Sequence, residues 1–510
     1  MIMKLNNKWI SALLPVMLLM TGMAGCSKFL DRKPLGVGTQ DDIVQGGVEG
    51  MVFGLYGELR KSGVSGFPTI GLHNVRSDDA VKGSTSGDES AITAIFDEFK
   101  YDPSYNQVTT YWDDHYAFIT LCNAVIHEVD SLKLTDQASL QNRGEATFLR
   151  AFAYFDLVRN FGSVPKIDFK IYLPSDANVP KVPVTEIYAL IDADLDFAIA
   201  NLPPEWEAKF IGRSTKGAAD ALKAKTLLYR QNWAGALAKA EDVISSQRYS
   251  LIDPYYRLFK EEGENSKESL FEIQMYVNAN GSVNLGNNYN QSQGVRGAGE
   301  WNLGWGFNAP TASLVNSYET GDPRREATIL FSGESDGGTA NGGYNKVLPP
   351  ANISAQPYWN KKVYTDPTRR GLITITDGDP QFSRWLNIPK LRYADVLLMA
   401  AEAANELGGP ANTTKALDYL EQVRFRARQG NNAILPEVEI TDQALLRAAI
   451  QRERRAELAM EGERFYDLVR WGRALEVLGP LGYQDKNKYY PIPQSAIDKS
   501  GGTLIQNPDY

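Results

Sequence analysis

Two short acidic runs, Asp78-Asp79 and Asp377-Gly378-Asp379, are where this chain of 510 residues could do hydrolysis. Glycosidic cleavage needs only two carboxyl groups facing each other across a cleft. Acidic residues in Gly- and Ser-rich loops also cap helices and close turns, and that role suits both runs better. Metal chemistry has a thinner basis. The three histidines, His73, His115 and His127, come without an HExxH motif or a Cys/His cluster, so catalytic zinc has no ligand set. Asp192, Asp194 and Asp196 alternate as a calcium loop begins, yet they fall inside a helical run and lack the glycine such a loop needs, so they are expected on a solvated helix face. Glu334 and Asp336, in the stretch Gly333–Gly343, could hold an ion, but their spacing selects none. No cofactor is expected, and a structural calcium stays open. A nucleophile elbow and a phosphate-binding loop are both missing from the sequence.

Binding chemistry has more to draw on. Tyr289, Trp301, Trp305, Tyr344, Tyr358 and Trp359 stand among glycines and the amides Asn287, Asn288, Asn302 and Asn360. Flat rings suit sugars, whose C–H faces stack on them while amides bond to the hydroxyls. Trp301 and Trp305 are the favoured pair, since Gly299, Gly304 and Gly306 flank them without side chains to cover the rings. Tyr358 and Trp359 come next. Any one of these rings could equally belong to the core; the cluster is the stronger signal.

These residues must be positioned by something else, because the segment from about 263 to 385 has little helical period. Periodicity dominates on either side of it, over about 41–250 and 390–475. Helices are expected at Asp41–Arg60, Tyr111–Asp130, Gln141–Phe161, Thr185–Asn201, Gly217–Arg230, Trp233–Ser246, Arg392–Leu407 and Thr414–Arg428. Gly217–Arg230 and Trp233–Ser246 are joined by a Gln-Asn turn and carry small contact residues, including Ala221, Ala224, Ala236 and Ala240, as tetratricopeptide-type hairpins do. Arg392–Leu407 and Thr414–Arg428 form a second such pair across Gly408-Gly409-Pro410. The fold class is mainly α, with residues 41–510 as one domain.

At the start, Lys4 and Lys8 precede an apolar run, Ile10–Met20, and a small-residue site at Ala24-Gly25. This is a secretory leader, residues 1–25, removed on maturation. Cys26 then receives lipid, and residues 26–40 form a tether. More than one acyl chain gives durable membrane attachment. Cys122, left without a partner, is expected buried and unpaired. A net charge of −9 with no basic cluster argues against nucleic acid.

One last helix is expected over Arg452–Arg473, with Ile450, Leu458, Ala459, Phe465, Leu468 and Val469 on its buried stripe and Gly462 where a neighbour could approach closely. As a pattern, RRAELAMEGERFYDLVRWG resembles the C-terminal signature of the SusD/RagB family of outer-membrane glycan-binding lipoproteins. Cys26-Ser27-Lys28-Phe29-Leu30-Asp31-Arg32-Lys33-Pro34 looks like that family's mature N-terminus, and Leu391–Leu398 like its penultimate helical pair. The resemblance implies a SusD-like fold with four tetratricopeptide-type helical pairs and a loop-rich ligand face. It further implies a lid-like seat over a TonB-dependent, SusC-like transporter in the outer membrane, with capture of an oligosaccharide or polysaccharide and no catalysis. Leu72–Asp79 resembles an early loop that contributes polar contacts to the glycan site, which makes Arg76 and Asp78 candidates; a local ion pair between them is the other reading. Ser27-Lys28 depart from the acidic residues that often follow the lipidated cysteine in surface-exported members. The rival functions are a lipid-anchored hydrolase using a carboxylate pair and a helical scaffold that binds protein only.

Overall fold

The computed structural model describes residues 47–85, 95–278, 283–350, 356–368 and 384–510. The leader, Cys26, Asp377 and Asp379 lie outside them. Among the described residues the architecture is mainly α, and its ten longest α-helices are α1 (Val48–Glu58), α2 (Asn106–Ser131), α3 (Gln137–Phe161), α4 (Val184–Asn201), α5 (Lys216–Tyr229), α6 (Trp233–Ser245), α7 (Tyr393–Leu407), α8 (Pro410–Arg428), α9 (Gln443–Leu458) and α10 (Arg464–Arg470).

Local chemistry sets their ends. Asp136 caps α3 through Ser139 N (3.0 Å), Asn232 caps α6 through Gly235 N (3.1 Å) and Asp442 caps α9 through Leu445 N (2.9 Å). Gly408 and Gly409, at φ +68° and +82°, end α7, and Pro410 starts α8 at a position that needs no N–H. Helix α3 is buried nearly all round from Gly144 onward, and α2 and α4 pack along it. Hairpin α5–α6 packs on hairpin α7–α8 through α6 and α7, and α9 closes against α7. Cys122 is fully buried on α2 with a free thiol.

Two antiparallel strand pairs stitch the middle of the chain to this scaffold, and a third lies within the middle segment. Ala80–Gly83 pairs with Phe307–Pro310, Ser269–Ile273 with Ile388–Arg392, and Ile329–Phe331 with Tyr358–Asn360. The first joins the early loop to the aromatic segment. The second delivers the chain directly into α7.

The C-terminal signature departs from the single expected helix. It is two helices, α9 and α10, broken over Ala459–Glu463, with Met460 at φ +66° and Gly462 at φ +85°. The close approach at Gly462 is real, but its neighbour is His73: a Cβ built on Gly462 would lie 3.1 Å from the His73 Cβ. The break turns the signature's charges toward different partners. Glu457 meets Arg426 (2.6 Å), Arg392 (3.1 Å) and Arg324 (3.3 Å), while Glu461 takes Arg392 and Lys362, each at 2.7 Å. Arg454 reaches Asp395 (2.7 Å), which Lys225 of α5 also contacts (3.2 Å). The segment is therefore a buried electrostatic hub joining α5, α7, α8, α9 and the middle region.

The aspartates of α4 also differ from expectation. Asp194 is buried and receives both Arg150 Nε (2.8 Å) and Nη2 (2.6 Å). Asp192 binds Arg230, and Asp196 binds Lys223. The alternation reflects ion pairing to neighbouring helices on two sides of α4, and a solvated face accounts for neither Asp192 nor Asp194.

Candidate functional site

The six aromatic residues of the middle segment do not form one surface. Trp301 and Tyr344 are half-buried and pack on one apolar cluster of Val295, Leu303, Leu330, Leu348, Trp359 and Tyr364. Trp359 is the floor of that cluster. It is 1% exposed, so it is not the displayed ring that the sequence suggested. The reason is strand alternation: Trp359 and Tyr358 are neighbours in a β-strand and face opposite sides. Tyr358 accordingly packs on a different cluster, edge-on to Phe331 at 5.6 Å.

Trp305 and Tyr289 belong to a third group, packed on the main core. The Trp305 ring meets Phe67 edge-on at 6.0 Å. Gln293 Nε2 donates to the Tyr289 carbonyl (3.0 Å), and burial pushes the Tyr289 hydroxyl up to about 12. Tyr289 lines an interior cavity with Asn290, Asn360, Lys362 and Glu461. The glycines beside Trp305 serve the backbone. A Cβ on Gly304 would sit 2.2 Å from Gln291 O, and Gly306 has φ +74°. They allow the strand-like stretch 303–306 to press against 291–295, with Leu303 N bonded to Val295 O (3.0 Å) and Trp305 N to Gln291 O (3.0 Å).

The amides have similar structural work. Asn287 Nδ2 donates to Ser65 Oγ (2.8 Å), and Asn288 Oδ1 accepts from Phe67 N (3.0 Å), pinning the short helices Ser62–Ser65 and Phe67–Ile70. Asn360 and Asn308 both donate to Gln293 Oε1, at 2.9 and 2.6 Å.

Arg76 and Asp78 are internal as well. Arg76 is fully buried, its guanidinium 3.7 Å from the Phe465 ring centroid and 4.1 Å from that of Tyr490, with Nη2 donating to Asn160 Oδ1 (2.7 Å). Asp78 receives Arg464 through Nε (2.8 Å) and Nη2 (3.0 Å), and Arg455 through Nη2 (2.9 Å). Burial alone would raise its carboxyl, but Arg464 and Arg455 hold it below the usual range. Burial pushes Asp79 up, although Arg455 Nε reaches its Oδ1 at 2.7 Å. The two residues thus pair with the C-terminal signature and not with each other or with Arg76. Both carboxylates are turned toward arginines in the interior, which does not give two acids across a cleft.

Trp301 and Tyr344 are the half-buried pair that shares one small cluster outside the main core. Trp301 sits on a turn opened by Gly299 at φ +63°, where nothing lies within 4 Å of the position a Cβ would take. Tyr344 is presented by a loop organised around buried Asp336. That carboxylate accepts from Gly338 N (3.0 Å), Tyr344 N (2.5 Å) and Tyr364 Oη (3.1 Å). Asp336 is thereby a loop organiser, and among the described residues no group of three or more His, Cys, Asp or Glu is placed to hold a metal ion. Glu300 and Lys346 join the two turns across 2.7 Å. Sequence reading missed this pair, although opposite charges beside Trp301 and two residues beyond Tyr344 were a usable signal. Two half-buried rings on one cluster, with a charged pair between their turns, form an arrangement able to stack a sugar and to hydrogen-bond its hydroxyls.

Comparison with known proteins gives a consistent result. The SusD family model matches residues 267–510, and a model described as starch-binding associating with outer membrane matches 69–228. A SusD-like protein of Formosa agariphila is 28% identical over 517 residues, covering 97% of this chain and 98% of its own. Among solved structures, a laminarin binding SusD-like protein is 30% identical with a TM-score of 0.76, over 91% of this chain and 99% of that one. Surface glycan-binding protein A from Bacteroides thetaiotaomicron, in complex with laminarihexaose, shares the fold at a TM-score of 0.72 and 24% identity, over 90% and 98% of the two chains.

Proposed function

The chain belongs to the SusD family, and from that membership we propose that it is a non-enzymatic glycan-binding lipoprotein of the outer membrane. It captures oligosaccharide and passes it to a TonB-dependent, SusC-like transporter. The observation that carries this reading is the near full-length similarity to a laminarin binding structure. The half-buried rings of Trp301 and Tyr344, tied together by Glu300 and Lys346, support the placement of the site. Laminarin oligosaccharides are the first ligands to test, since one similar structure is of a laminarin binding protein and another is a complex with laminarihexaose.

Engagement of Asp78 and Asp79 by Arg455 and Arg464 favours capture over a carboxylate-pair hydrolase. Retention of the mature protein on immobilised laminarin, and its release by laminarihexaose, tests the binding. Growth of the expressing cells with labelled palmitate tests the anchor: label enters the wild-type chain and is absent from Cys26→Ala. Co-purification of a SusC-like barrel from detergent-solubilised outer membrane tests delivery, and a barrel-free preparation from native membrane would argue against it.

A further inference from the structure

A separate groove lies elsewhere on the scaffold. Its volume is about 600 Å³, and it runs between the loop 204–215 joining α4 to α5, the turn 247–249 after α6, and residues 265–272 leading into the strand Ser269–Ile273. That size falls within the roughly 300–1,000 Å³ of small-molecule sites. It shares no residue with the Trp301/Tyr344 cluster.

Its lining is specific in kind. Trp206 is half-buried, with the Arg213 guanidinium 3.9 Å from its ring centroid and its indole N–H donated to Ser214 O (2.8 Å), so the ring is held in one orientation. Tyr249, also half-buried, bonds to Thr215 Oγ1 at 3.0 Å. Most of the charged groups are already committed, exposed Lys267 apart. Arg213 is taken by Glu145 and by Glu49 (2.8 Å), Arg248 meets Glu205 at 3.1 Å, and buried Glu272 accepts from Asn265 N (3.1 Å) and Asn387 Nδ2 (3.0 Å). Two oriented rings beside largely committed charges suit a polyol better than an apolar chain.

We propose that this groove is a second carbohydrate site, taking a short neutral segment of the glycan that the Trp301/Tyr344 face binds. The proposal rests on the glycan-binding reading. Two sites on one chain would hold a long polysaccharide through effective concentration, without new contacts at either.

Hydrogen exchange of the mature chain tests it, with laminarihexaose, maltohexaose, cellohexaose and xylohexaose as probes. The comparison variant is Ala208→Trp, which fills the groove from an exposed turn residue. The expected result is slowed exchange at both 204–215 and 265–272 and around Trp301, with Ala208→Trp abolishing the first and sparing the second. Its affinity for the matching polysaccharide should also fall about tenfold. Slowing around Trp301 alone, unaffected by Ala208→Trp, would overturn the second site and leave the glycan reading standing. No slowing anywhere with any probe would remove the glycan reading, and this site with it.

Discussion

Asp78 and Arg464 stand 386 residues apart in sequence and meet in a two-point pair, with Nε to Oδ1 at 2.8 Å and Nη2 to Oδ2 at 3.0 Å. The early loop and the C-terminal signature are therefore two halves of one structural joint. Both side chains are largely buried, so removing one partner leaves a charge in poor solvent. Arg464→Ala is expected to cost about 3 kcal/mol in urea unfolding. Folded Asp78→Asn should keep its glycan affinity, which a ligand-contacting Asp78 would not.

Gly462 turns the chain between α9 and α10 at φ +85°, against the His73 Cβ. Gly462→Ala combines a left-handed backbone with a contact that must give, and a loss of about 1–2 kcal/mol is expected. Thermal unfolding compared with Gly501→Ala, at a left-handed glycine with open space around it, separates the crowding from the backbone strain.

Trp359 and Trp301 share a cluster but should respond differently. Truncating buried Trp359 to Ala empties the floor and is expected to cost about 3–5 kcal/mol. Trp301→Ala uncovers part of the same cluster from outside, with an expected cost of about 1–2 kcal/mol. Denaturant midpoints at equal slope would show the ranking, and equal losses would contradict it.

Acid should loosen the signature hub. Burial alone would raise the Glu457 carboxyl from 4.5, but Arg426, Arg392 and Arg324 outweigh it and bring it down to about 2. A carboxyl depressed by folding stabilises the native state above its unfolded pKa. That contribution, about 3 kcal/mol for such a shift, is lost as pH falls from the mid-fours toward 2. The melting temperature should drop across that window, and Glu457→Gln, less stable at neutral pH, should show a shallower drop.

The helices were legible because their caps and small-residue faces are local: the ends of α3, α4, α6 and α8 fall within a few residues of the expected ones. The break in the signature was not, since its helical period runs on through Gly462 and only the tertiary approach of His73 shows why the backbone turns there. Asp194 looked solvated because its partner Arg150 lies 44 positions away on another helix. The aromatic set dispersed for a similar reason. Ring and amide composition is a local property, whereas the side a ring faces depends on strand pairing, as with Tyr358 and Trp359, or on glycine-mediated backbone contact, as with Trp305.

The central claim is capture of glycan without cleavage at the Trp301/Tyr344 face. Calorimetric titration of the mature chain from Ser27 with laminarihexaose and other oligosaccharides tests it most directly, with Trp301→Ala alongside and reducing-sugar release followed in the same samples. The account predicts saturable binding, no new reducing ends, and about tenfold or greater weakening in the folded variant. Release of reducing ends, or wild-type affinity in Trp301→Ala, would contradict it.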